Sequence, residues 1–173
     1  MSWDIFVQDL PRDAKTLEDI PQDFVPASIG ERSTIIAKIK EVVPSVDFSD
    51  PSLGIIDEDD WSIEVDIDDS EDCKGFAFHV HGGDAAVGVV AAILEHLNLR
   101  ALDSQSGDFF IAGPEAVENF RKWRDYRDQV ITRHGINAVD PNSNTSIQHN
   151  WMFKRQPRIF SRLSIWLRNR PKK

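Results

Sequence analysis

Strict alternation of apolar and polar residues marks the clearest element of the chain. In WSIEVDI, Trp61, Ile63, Val65 and Ile67 share one side and Ser62, Glu64 and Asp66 the other, which is the period of a half-buried strand. A shorter apolar segment, Leu53 to Ile56, can pair with it through the turn Asp57 to Asp60. The opening WDIFVQDLP predicts a strand from Trp3 to Gln8, compatible with a sheet edge and stopped by Pro11. Residues 9 to 30, with Pro11, Pro21, Pro26 and Gly30, read as a loop wrapped on the surface. The period then changes: Ile35, Ile36, Ile39, Val42 and Val43 follow helical spacing and predict a helix from about Glu31 to Val43, ended by Pro44.

GFAFHV continues as a strand from Gly75 to His81, after which Gly82-Gly83 supplies a turn and Asp84 occupies an N-cap position. The helix that follows, Ala85 to Leu97, is apolar almost all round, which predicts deep burial. Leu99 to Asp103 and Gly107 to Ile111 read as a hairpin. Gly113-Pro114 opens a long helix carrying Val117, Phe120, Trp123, Val130 and Ile131 and closing at Gly135. The order β-α-β-β-β-α-β-β-α predicts an α+β two-layer sandwich, a mainly antiparallel sheet with helices packed on one face. The expected organisation is a single domain over residues 1–136, a polar linker over 137–150 and a basic amphipathic tail over 151–173. In that tail Ile159, Phe160, Leu163, Trp166 and Leu167 fall on one side of a helix from about Pro157 to Arg168.

Charge changes this picture more than size does. All 29 acidic residues precede Trp151, while eight of the 20 Lys and Arg follow Asn150, so the body carries −17 and the tail +8. Such a body repels nucleic acid and anionic lipid and attracts basic proteins. Three fates suit the tail: docking on an acidic body, in cis or in a homodimer, insertion at an anionic membrane, or capture by a partner. The charge of the body favours the first and disfavours the membrane. No apolar run approaches the length of a spanning helix, and Met1-Ser2-Trp3-Asp4 lacks the basic start of a secretory signal, so a cytoplasmic location is expected. Cys73 stands alone, with Glu71 and Asp72 beside it opposing thiolate formation.

Candidate chemistry is sparse. His79 and His81, two apart on a strand, share a face and with Asp103 could begin a metal site, the basis for a rival reading as a small metal-dependent hydrolase. Phe76, Phe78 and Val80 take the apolar face, so the histidines belong on the polar one. Gly82-Gly83 lacks the third glycine of a dinucleotide loop and the lysine of a P-loop, and a calcium loop begun at Asp66 would place Glu71 at the glycine position and Ala77 at the bidentate glutamate position. No cofactor is expected. The ten carboxylates from Asp57 to Asp72 read instead as a solvated face or a docking surface, with Asp57, Glu58, Asp59, Asp60, Glu64, Asp66, Asp68 and Asp69 supplying its field.

Two segments, SWDIFVQDLP and GGDAAVGVVAAILEHLNLRALDSQSGDFF from Gly82 to Phe110, resemble a loose group of small bacterial cytosolic proteins similar in style to the immunity proteins that neutralise toxins. The resemblance covers under half the chain, excludes the tail after Gly135 and carries no catalytic motif. It implies bacterial origin and a non-enzymatic acidic binding protein, of immunity or adaptor type, that captures a basic protein partner.

Overall fold

The computed structural model describes residues 1–133. Its sheet is organised by alternation. Strand β1 (Trp3–Gln8) turns Trp3, Ile5 and Val7 to one side, β5 (Trp61–Ile67) turns Ile63, Val65 and Ile67 the same way, and β7 (Gly75–Gly82) adds Phe76, Phe78 and Val80. Helices α1 (Arg32–Val42), α2 (Ala85–Leu97) and α3 (Pro114–Arg133) bring Ile35, Ile39, Val87, Val90, Ile93, Phe120 and Trp123 into that same core. Burial of each such side chain contributes roughly 1.5–3 kcal/mol before ordering entropy is subtracted. The result is the expected α+β sandwich, with an antiparallel sheet and helices on one face.

The remaining strands are β2 (Gly30–Glu31), β3 (Asp47–Asp50), β4 (Leu53–Asp57), β6 (Asp72–Cys73), β8 (Arg100–Asp103) and β9 (Asp108–Phe109). The main sheet runs β3-β4-β5-β7-β1-β8-β9, and β2 pairs with β6 apart from it. β1 is therefore not an edge strand: it lies between β7, with Ile5 opposite Phe78, and β8, with Ile5 opposite Asp103. Edge compatibility reads only the strand's own residues, whereas its place is decided by partners about 70 and 100 residues away.

Trp3 shows what holds that place. Its indole Nε1–H donates to Asp103 Oδ1 at 2.9 Å, and its ring packs against Phe110 and Phe120, the latter stacked on Trp123. Asp103, only 3% exposed, also accepts the backbone N–H of Gln105 at 2.8 Å, so its carboxylate closes the β8–β9 turn and fixes β1 together.

Three local expectations are revised. The loop after β1 is not a surface wrap alone, since Leu10, Ala14, Leu17 and Ile20 are buried. Arg100 anchors it, donating to the carbonyls of Pro11 and Ala14 while lying 3.8 Å over the Phe109 ring. Helix α2 buries one side only: Ala85, Gly88 and Ala92 are exposed, because small residues make a helix read as apolar without giving it a second face to bury. Asp84 sits at the N-cap position but in helical backbone, with no side-chain cap bond; its Oδ2 accepts from Arg121 Nε of α3 at 2.6 Å, and the first turn closes through Val87 N–H to the Asp84 carbonyl.

Met1–Trp123 form one compact unit, and beyond it α3 is described through Arg133. The expected linker at 137–150 and the tail residues Ile159, Phe160, Leu163, Trp166 and Leu167 lie outside the described residues.

Two pairs of substitutions test this account. Trp3→Phe keeps an aromatic ring but removes the indole donor to the buried Asp103 carboxylate, and should cost about 2 kcal/mol in urea unfolding. Asp103→Asn, which retains an acceptor at Oδ1, should cost less. Gly82 has φ +85°, and a Cβ there would run into the Asp60 carbonyl, so Gly82→Ala should destabilise by about 1–3 kcal/mol. Gly88 has open space at its Cβ position, and Gly88→Ala should raise stability by about 1 kcal/mol through helix propensity.

Candidate functional site

The same alternation that buries Trp3, Ile5 and Val7 sends Asp4 to the helix-free side of the sheet, and register then determines its neighbours. Asp4 lies opposite His79, which on its other side lies opposite Glu64; His81 lies opposite Ser62. Asp4, Glu64, Asp66, His79 and His81 consequently form one cluster across β1, β7 and β5, all of them half-buried.

His79 occupies its centre. Its Nδ1 is 2.8 Å from Asp4 Oδ1 and its Nε2 is 3.9 Å from Asp66 Oδ2. Burial opposes a charge on the ring, but the hydrogen bond to Asp4 and the pull of Asp66 outweigh it and raise His79 from 6.5 to about 9. Burial likewise works against ionisation of Asp4, and is outweighed by the bonds from His79 and from Ser2 Oγ at 2.6 Å, so its carboxyl lies below the ordinary value. His81 differs. Its Nε2 stands 3.9 Å from Glu64 Oε1, and burial holds it below the ordinary value because Glu64 compensates only in part. Two histidines on one strand, two residues apart, are thus shifted in opposite directions.

The structure does not bring the three candidate metal residues together. Asp103 faces the helix-side core with Trp3, on the opposite side of the sheet from His79 and His81. Among the described residues no group of three His, Cys, Asp or Glu side chains converges as a ligand set. Cys73 is buried, and burial raises its thiol above the ordinary value, which disfavours the reactive thiolate.

The acidic residues separate into three places along β5. Asp57, Glu58, Asp59 and Asp60 are exposed at the β4–β5 turn, which is pinned by Glu58 N–H to the Trp61 carbonyl and Gly83 N–H to the Asp60 carbonyl. Among the described residues, none of these four carboxylates lies in an ion pair. Glu64 and Asp66 stand on the open face. Asp68 and Asp69 lie at the far end, where Arg32 pairs with Glu71 and donates to the Asp69 carbonyl at 3.0 Å. From Glu41 to Cys73 the chain has thirteen acidic residues and no Lys, Arg or His, and β3, β4 and β5 lay this stretch side by side.

Sequence reading placed the histidines on the polar side but missed Asp4. Its alternation with Trp3 and Ile5 assigns it to that side, yet only the pairing of β1 with β7 shows which residue it meets. Comparison with protein-family models, curated proteins and solved structures finds no match for this chain.

The imidazolium makes a signed pH prediction. A raised folded-state value means that the stability from His79 is fully present below about pH 6.5 and is lost as pH rises through about 9. The stability difference between the parent protein and His79→Gln, from urea unfolding at a series of pH values, should shrink by on the order of 2 kcal/mol across that window. A difference that is constant or grows with pH would mean that the ring is neutral.

Proposed function

We propose that the protein is a non-enzymatic acidic binding protein, of the immunity or adaptor type, that captures a basic protein partner. The observation that carries this reading is the run of thirteen acidic and no basic residues over Glu41 to Cys73, five of them on the adjacent strands β3, β4 and β5, with the four carboxylates from Asp57 to Asp60 exposed together at the β4–β5 turn. A field of one sign over a large surface raises the rate of encounter with an opposite charge and rejects partners of like charge. It needs no catalytic group. The rigid attachment of the turn to Gly83 keeps its charges in a defined place, which favours specific capture over diffuse attraction.

The full chain and its variant D57N/E58Q/D59N/D60N, used as baits against a lysate of the source cell, test the reading. The parent should retain a basic protein at stoichiometric level. With that protein purified, its association rate constant should fall about tenfold in the variant and decline with added salt, because screening acts on exposed charges beyond about 8 Å at physiological ionic strength. Equal association by both baits, or kinetics indifferent to salt, would overturn the proposal.

A further inference from the structure

We propose that the face formed by β1, β7 and β5, opposite helices α1 to α3, is where a cationic partner docks, with Glu64 and Asp66 receiving its arginine or lysine side chains beside His79 and His81. This rests on the reading of the protein as a captor of basic partners and identifies the part of the acidic surface that makes contact.

Two observations carry it. Among the described residues helices α1 to α3 pack on the other side; on this side Gln8, Ala77 and Leu102 are buried, while Ile55, Ser62, Glu64, Asp66, His79 and His81 are half-buried. The carboxylates on it are unequal. Asp4 is committed, at 2.8 Å from His79 and 2.6 Å from Ser2, whereas Glu64 and Asp66 each stand 3.9 Å from a histidine nitrogen, beyond hydrogen-bond range. Being two apart on one strand, they are about 7 Å from one another, a spacing that two cationic side chains can address together.

The histidines explain how such a face persists without a partner. Asp4, Glu64 and Asp66 would repel one another if alone, and the His79 imidazolium between them supplies the counter-charge. A guanidinium arriving at Asp66 takes over that role and repels the imidazolium. The groups facing His79 are Asp4 from β1, Glu64 and Asp66 from β5 and His81 along β7, with the N-terminal amino group adding positive charge near His81. Docking of a permanent cation therefore favours loss of the His79 proton, and by linkage a higher pH favours docking. The turn at Asp57–Asp60 contains no histidine and gives no such dependence in the neutral to alkaline range.

A labelled oligo-arginine peptide, whose charge does not change in this range, is a suitable probe. At low ionic strength its affinity for the full chain should rise about tenfold between about pH 6.5 and about pH 9.5, the effect of one unit of displaced titration. His79→Gln should abolish the rise. Glu64→Gln, which preserves shape, and Ser62→Arg, which places a cation on the face, should weaken binding, while Ala92→Arg on the exposed side of α2 should not. Binding that is independent of pH and unaffected by Glu64→Gln and Ser62→Arg, but lost in D57N/E58Q/D59N/D60N, would move the contact to the turn and overturn this inference alone. Absence of peptide binding at low ionic strength would overturn both this inference and the capture reading. Concentration-dependent self-association of the parent in sedimentation, abolished by Ser62→Arg, would assign the face to a second copy of the chain and overturn it as well.

Discussion

The register of the first strand is the constraint on which both sides of the sheet depend. β1 is threaded between β7 and β8, so every residue from Trp3 to Gln8 is fixed against neighbours distant in sequence. A slip of one residue would turn Trp3, Ile5 and Val7 outward and drive the Asp4 carboxylate into the helix-side core, losing three large apolar burials and desolvating a charge. The Trp3–Asp103 hydrogen bond marks the correct alignment, because a buried carboxylate accepts an indole N–H in only one register. With β1 also aligned on its other side against β7, Ile5 opposite Phe78, the meeting of Asp4 with His79 follows. The apolar side selects the register, and the polar side inherits it.

Electrostatics on the open face then depend on small differences of distance. His79 and His81 are chemically identical, share a strand and a face, and shift in opposite directions because one has a carboxylate at 2.8 Å and the other has its nearest at 3.9 Å. Desolvation acts against charge on both, and only direct hydrogen bonding exceeds it. A lysine at position 79 would carry a permanent charge and hold the carboxylates whatever the pH. A histidine makes the same internal pairing conditional on its proton, which is the property that a competing cation can exploit.

Much of the architecture could be read from local patterns, since strand alternation in β1, β5 and β7 and the helical spacing in α1 and α2 are written within single segments. What escaped was long-range or two-residue in scale. The edge strand β3 holds Asp47, Ser49 and Asp50, residues of turns rather than strands, and its Asp47 carboxylate accepts from Ser49 N–H as in a turn. β2 and β6 are too short to have a period. The placement of β1 inside the sheet, and with it the whole Asp4–His79–Asp66 arrangement, is a property of pairing between distant strands that composition does not encode. The Asp103 metal idea failed for the same reason: strand parity fixes the face of a residue only after neighbouring strands have been aligned.

The acidic excess also has more than one physical use, and the geometry separates them. Asp47 and Asp50 line the exposed edge strand β3, where charge discourages edge-to-edge pairing with another sheet. Asp19 accepts the N–H groups of Lys15 and Thr16, at 2.8 Å each, and Asp4 is spent on His79 and Ser2. Glu71 is spent on Arg32. The count of 29 acidic residues therefore overstates the carboxylates available to another molecule, because these ones already have structural work within the fold. At the Asp57–Asp60 turn four exposed carboxylates stand together, with half-buried Glu64 and Asp66 next to them along β5. A cation drawn in by the turn would need to move only a few residues along β5 to reach the half-buried pair, so long-range attraction and close contact are arranged in series on a single strand.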